Sequence, residues 1–237
     1  MTSPKASMWK IRRMREEHGA ASEERRNGFF VPLPSTALAM GVLALIVLGV
    51  GVLLWQLWPR DPGNDSAEAG FLRDMYEHHA QAVEMAMIIR DRTEDEALFY
   101  MATDIALTQS TQMGTMQGYL ELWGLPLTSD DAPMTWMGSP VEDGLMPGMA
   151  TNEEIEQLRT LPVEEAEVLF LQLMIRHHQG GVMMAEAALD EVDQEQVETM
   201  AERIVILQDG EIDAMNDMLV ARGEEPITDP LPEHEGH

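Results

Sequence analysis

Two stretches of this chain, 99 positions apart, are versions of one another. Phe71-Leu72-Arg73-Asp74-Met75-Tyr76-Glu77-His78-His79, followed by Val83, Met85 and Ala86, returns as Phe170-Leu171-Gln172-Leu173-Met174-Ile175-Arg176-His177-His178, followed by Val182, Met184 and Ala185. At that offset residues 71–124 align with 170–223 without a gap and agree at 17 of 54 positions. Beyond the histidine pairs the agreement takes in Met101/Met200, Ile105/Ile204, Gln109/Gln208, Met116/Met215, Leu120/Leu219 and Gly124/Gly223. A shared helical pattern alone does not keep His-His, Gln and Gly at one offset. The reading is two helical hairpins of common origin. One hairpin cannot bury its apolar face alone, so two pack as a four-helix bundle. Pseudo-twofold symmetry sets the first helix of each hairpin against the other, and the histidine pairs converge.

The punctuation of the sequence places the helices. Ser66 is an N-cap for a helix running to about Asp91, with Met75, His78, His79, Ala82, Met85, Ala86 and Ile89 on one face and Glu77 and Glu84 off it. A second helix spans about Thr93 to Trp123, with Met101, Ile105, Met113, Met116 and Leu120 as its apolar stripe and Gly124 as its stop. Residues 125–161 are a loop rich in Pro, Gly and Asp, interrupted by a short helix that Thr151 and Glu154 open as a capping box. The second hairpin occupies about 162–223, with helices from Pro162 to Leu189 and from Gln194 to Arg222. Residues 224–237, acidic and proline-rich, read as a disordered tail.

Ahead of this 67–223 bundle lies a different kind of segment. Residues 36–58 carry no charge, and as a helix they measure about 34 Å, enough to span a bilayer core. Trp55 and Trp58 stand at the end where aromatics anchor at an interface, and residues 1–34 supply Lys10, Arg12, Arg13, Arg15, Arg25 and Arg26 on the other side. The expected topology is single-pass in the cell membrane, with the 1–34 basic tail cytoplasmic, a signal anchor over 35–58, a linker over 59–66, and the bundle outside the cytoplasm. A cleaved signal peptide fits less well. The apolar run is longer than the usual h-region, and the Ala67-Glu68-Ala69 triplet lies about ten residues beyond it.

Charge divides along the same boundary. Residues 1–58 balance at +3, and residues 59–237, with eight Arg and 38 Asp/Glu, at −30. So acidic a domain repels nucleic acid and anionic lipid and attracts cations. With no cysteine, disulfides and thiolate sites are excluded. Of 20 methionines, 16 follow residue 70. Methionine is ordinarily flexible core filler, and its thioether is also a soft ligand for Cu(I).

The chemistry is carried by the repeated motif. Met75 lies three residues before His78 and four before His79, so it shares a helical face with both, and His78 and Met85 share an edge; Met174, His177, His178 and Met184 repeat the pattern. A mixed imidazole and thioether set suits copper, Cu(I) being favoured and Cu(II) admissible. Outside the cytoplasm methionine also escapes the oxidation that befalls thiols. Neighbouring residues on a helix diverge by about 100°, so the two histidines of a pair do different jobs: one meets the other copy, its neighbour bonds an adjacent helix or a second ion. Small residues Ala82, Gly180 and Gly181 allow close helix approach or leave room for an ion. Loop methionines Met134, Met137, Met146 and Met149, expected to be exposed, are candidates for an accessory metal-capture arm. His234 and His237 offer a weak terminal site.

Several enzymes are excluded by spacing. Di-iron bundles need Glu-x-x-His, but Met75 and Met174 stand three before His78 and His177. There is no His-Glu-x-x-His, P-loop or Gly-x-Ser-x-Gly.

These residues resemble the DUF305 family: Phe71…Met75-Tyr76-Glu77-His78-His79-Ala80-Gln81-Ala82-Val83-Glu84-Met85-Ala86, Gln109…Met116…Leu120, Met146-Pro147-Gly148-Met149 with Thr151, and Phe170 to His178 with Met184-Ala185. The likeness covers about 66–223 and leaves out the anchor and the basic tail. Gly180-Gly181 stands where members often have Gly-Ala, a departure expected to matter little. The resemblance implies a ferritin-like four-helix bundle, usually exported, with copper binding or tolerance in some members. The resulting expectation is a membrane-anchored extracytoplasmic copper-binding protein for buffering, tolerance or delivery, serving a copper-handling protein or acting as a homo-oligomer. A non-metal interaction module and a metal-dependent redox enzyme are the rivals.

Overall fold

A computed structural model describes residues 35–56, 61–142 and 144–231. Trp58, the whole basic tail over 1–34 and the terminal His234 and His237 lie outside these residues. The chain forms two compact units, 1–60 and 61–237.

In the first, α1 (Ser35–Gln56) is a 22-residue helix without a charged side chain. Its length and composition suffice to cross a membrane.

The second unit is an all-helical bundle; among its described residues there is no strand. It consists of α2 (Ala67–Arg90), α3 (Glu96–Leu122), α4 (Asn152–Thr160), α5 (Val163–Glu191) and α6 (Glu195–Ala221). The caps explain the boundaries. Ser66 accepts from the Ala69 amide at the start of α2. Asp95, not Thr93, opens α3, because its carboxylate takes the Ala97 and Leu98 amides. Thr151 and Glu154 close the capping box of α4. Both hairpins end alike. Gly124 (φ 69°) and Gly223 (φ 85°) adopt the left-handed conformation, and the Leu125 and Glu224 amides reach back to the carbonyls of Leu120 and Leu219.

Helices α2 and α3 pair as one hairpin, α5 and α6 as the other, and α2 packs against α5 at the centre. The apolar core splits in two. One half gathers Phe71, Leu72, Met75, Met184, Ala185 and Ala188, the other Met85, Ala86, Ile89, Phe170, Met174 and Ile175. Each half thus draws the beginning of one central helix and the end of the other, so α2 and α5 run antiparallel. Both ends are clasped by a glutamate at offset-equivalent positions. Glu167 accepts from Thr93 Oγ1 at 2.6 Å and meets Arg222, which also binds Asp95 at 2.7 Å. Glu68 accepts from the Asp193 amide at 3.0 Å. Each hairpin's first helix therefore holds the other hairpin's turn.

Residues 125–150 are not an exposed arm. Asp74 Oδ2 accepts from the Met134 amide (2.7 Å) and from Trp136 Nε1 (2.8 Å), and Trp136 lies edge-on to Phe71. Met134 and Met146 are buried in the core, and Met137 and Met149 are half-buried against it. The apolar side chains of this loop supply core that four helices alone leave uncovered. Farther on, Gln81 grips the Ala150 peptide from both sides, at 2.9 and 2.7 Å. The tail also departs from expectation. Residues 224–231 are docked: Asn216 holds the Ile227 peptide in two bonds, and Arg176 and Gln179 donate to the Asp229 carbonyl.

The small residues on α5 are used for approach, not for an ion. A Cβ on Gly180 would stand 1.9 Å from the Pro147 carbonyl oxygen, and one on Gly181 would stand 2.3 Å from Gln208 Oε1. Gly180→Ala is expected to lose about 1–3 kcal/mol in chemical denaturation because the loop backbone must move. Gly210→Ala, a helical position with nothing within 4 Å of the new Cβ, is expected to gain about 0.5–1 kcal/mol.

Candidate metal centre

Between the two apolar halves lies a polar belt. His78, His79, His177 and His178 are all fully buried there, as are Met75, Met85, Met174 and Met184 on either side. Helix α2 presents its pair to α5, and the rings of His78 and His177 stack with centroids 3.8 Å apart and planes tilted by 35°. Their neighbours turn outward, each toward the second helix of its own hairpin. His79 Nε2 meets Gln112 Oε1 at 2.7 Å, and His178 Nε2 meets Glu211 Oε2 at 2.7 Å. The two acceptors are themselves 99 residues apart, so one bond is made twice. The flanking methionines divide: Met75 and Met184 lie in one apolar half, Met85 and Met174 in the other.

Hydrogen bonding settles which ring nitrogen is free. A carbonyl, amide or carboxylate oxygen can only accept, so the Nε2 atoms of His79 and His178 donate. His78 Nε2 likewise donates to the Pro147 carbonyl at 3.1 Å. Each of these rings then carries its lone pair on Nδ1, and those three Nδ1 atoms are buried with no partner in the protein. His177 has neither ring nitrogen partnered. Fixing one nitrogen by an outer oxygen and presenting the other bare is how proteins orient imidazoles that ligate metal. The amides of Gln109 and Gln208, also buried, are unpartnered at both atoms.

Burial makes the histidines poor bases. Desolvation is the main cause that lowers the pKa of His78 to about 4 and of His79 to about 3, and it drives His177 well below the ordinary value; neighbouring imidazoles add repulsion. At neutral pH these three rings are neutral, the form that binds metal. Among the described residues no three His, Asp or Glu side chains converge as a cage. A bound ion would need mixed imidazole and thioether ligands.

Sequence reasoning missed the oxygen acceptors: Gln112, Glu211, the Pro147 carbonyl, and Gln81, which holds the loop in place. Gln112 and Glu211 had a signal. Both stand 33 residues after a histidine of the repeat, on the histidine-facing side of α3 and α6. Met134 and Met146 lie within one apolar half of the core, and Met137 and Met149 pack against that same half.

The unfolded chain protonates these imidazoles near pH 6.5. The folded His78 and His79 do not take up protons until about pH 4 and 3. Stability linked to them is therefore complete above pH 6.5 and is lost as pH falls through that window. In His79→Gln the decline of unfolding free energy between pH 6.5 and 4 is expected to be shallower than in the unaltered chain, by up to about 1.4 kcal/mol per pH unit. Denaturant titrations at a series of pH values measure it.

Comparison with other proteins agrees with this architecture. The model of the domain of unknown function DUF305 matches residues 68–219. A DUF305 protein of Streptomyces coelicolor is 48% identical, with a TM-score of 0.66 over 70% of this chain and all of its own. A DUF305 fragment from Deinococcus radiodurans is 38% identical, with a TM-score of 0.59 over 69% of this chain and 99% of its own. CopM in its Cu(I)-bound form is 22% identical over 66% of this chain and 96% of its own at a TM-score of 0.49, too distant to carry its ligand across. No functionally curated protein matches. By the family model and these relatives, the chain belongs to the DUF305 family.

Proposed function

We propose that this protein binds copper, Cu(I) in preference to Cu(II), in the belt between α2 and α5, to buffer the ion or deliver it. One observation supports this above the rest: four fully buried imidazoles carry unpartnered ring nitrogens in the belt between the two apolar halves. A buried polar atom left without a partner costs about 1–3 kcal/mol, and a whole domain has only about 5–15 kcal/mol of stability. Nine such atoms belong to the histidines and glutamines of this belt. A bound ion or ordered water completes such atoms. Neutral imidazole and thioether are soft, uncharged donors, and they favour a monovalent soft ion over a hard divalent one. His78 and His177, which meet across the pseudo-twofold, would hold the ion, with Met75 and Met184 on one side and Met85 and Met174 on the other.

The location follows from the same reading. α1 serves as an uncleaved anchor with the basic N-terminal residues in the cytoplasm, and the bundle stands outside. There the acidic surface concentrates cations, and methionine replaces a cysteine that would oxidise.

A structural role is favoured at His79 and His178 by their bonds to Gln112 and Glu211, which tie each hairpin together. These two rings also bring bare Nδ1 atoms to the belt, so holding the hairpin and serving the ion are compatible.

In competition titrations of the full chain in detergent against a Cu(I) chelator, dissociation constants below about 1 µM are expected. His78→Ala/His177→Ala should weaken binding by at least about a hundredfold, on the order of 3 kcal/mol. Affinity weaker than micromolar, or unchanged in the double variant, contradicts the proposal.

A further inference from the structure

The belt is sealed on one side by Pro147 and the loop that carries it. On another, α3 and α6 stand apart and leave a groove of about 700 Å³, lined among others by Thr111, Gln112, Thr115, Thr199, Met200 and Arg203. Gln112 reaches from this surface to His79, and Glu211 makes the equivalent reach to His178. The geometry is twofold but the chemistry is not. One link between solvent and the histidines is a neutral amide and the other is a carboxylate. Arg203 shares the groove with Gln112. The position related to Arg203 by the offset is Asp104, so the two copies differ in charge there as well.

We infer that Glu211 is the entry port for the cation, passing it from solvent to His178 and thence to the His78/His177 pair. This rests on the copper reading above. The Glu211 side chain is 22% exposed, whereas that of His178, 2.7 Å away, is fully buried. Beyond it the ring of His178 lies 6.3 Å from that of His177, which lies 3.8 Å from that of His78. Carboxylate, imidazole, imidazole and imidazole thus form a series of donors from the surface inward. The carboxylate attracts the ion while it is still hydrated, and the imidazoles that follow are softer and fully buried. Gln112, without charge and beside Arg203, draws no cation by the same path. Glu211 is a positioning residue, acting on loading through its charge and on His178 through its hydrogen bond.

The test is the rate at which the full chain in detergent takes Cu(I) from a coloured chelate, followed by stopped-flow absorbance. Glu211→Gln, which makes the two halves alike, is expected to load about tenfold more slowly at low ionic strength and to lose most of its salt dependence. Glutamine at 211 can still accept the His178 Nε2 proton, as Gln112 does for His79, so the variant's equilibrium affinity is expected to fall by much less than its loading rate. Gln112→Glu is expected to load faster than the unaltered chain by opening a second port. Loading of Glu211→Gln at the original rate and salt dependence overturns this inference alone, as does a loss of affinity equal to its loss of rate. Absence of any loading in the unaltered chain overturns the copper reading with it.

Discussion

The bundle is built around the meeting of His78 with His177 where α2 crosses α5. Two neutral imidazoles stacked at 3.8 Å contribute little cohesion of their own, and their bare nitrogens oppose burial. What holds them there is the structure on either side. Each apolar half of the core contains residues from both central helices, so neither helix can slide or rotate without opening one half. The glutamate clasps at the two ends, Glu167 on the Thr93 turn and Glu68 on the Asp193 amide, set the register. The polar belt is thereby imposed on the centre by packing on both sides, in the manner of a site whose geometry is prepared before its ligand arrives.

The outer oxygens complete that preparation. A neutral imidazole has two tautomers, and only one of them leaves the lone pair on Nδ1. Gln112, Glu211 and the Pro147 carbonyl each take an Nε2 proton and so select it. Low proton affinity follows from the same burial. An imidazole that stays unprotonated down to about pH 4 or 3 keeps its lone pair available at neutral and mildly acidic pH.

Much of this was legible in the sequence because it was written twice. The offset of 99 implied two hairpins, first helices set against each other and converging histidines, and the divergence of adjacent helical residues implied that His78 and His79 face different neighbours. Helices in a repeat are determined by local pattern, and local pattern is visible. Residues 125–150 occur once and follow no period. Their conformation depends on contacts across about 60 residues, such as Asp74 with Met134 and Trp136, and on the left-handed backbone of Met134 (φ 67°), which no propensity foretells. Expecting Met134 and Met146 to be exposed followed from their being in a loop; their burial follows from the core they complete. The docked segment 224–231 was hidden for a similar reason. Its attachment uses backbone carbonyls and amides, which any sequence possesses.

The departures from symmetry matter as much as the repeat. A perfect twofold would place equal groups around the belt and leave both faces equally open. Here positions 81 and 180, equivalent by the offset, hold Gln and Gly, and both act on the same loop. Gln81 binds the Ala150 peptide at both its atoms, and Gly180 yields the space that the Pro147 carbonyl occupies. Gly148, with φ 76°, completes the fit, since a Cβ there would stand 2.1 Å from the Arg176 carbonyl oxygen. The two halves of an ancestral hairpin have thus become a grip and a seat for one unrepeated segment, and that segment supplies the oxygen that sets His78. A substitution that restored symmetry at either position would be conservative in the repeat and disruptive in the protein. Gly-Gly on α5 is therefore tied to the backbone of the loop at position 180 and to the Gln208 side chain at 181, and of the two the first is the less forgiving, because a glutamine side chain can rotate away and a capped peptide cannot.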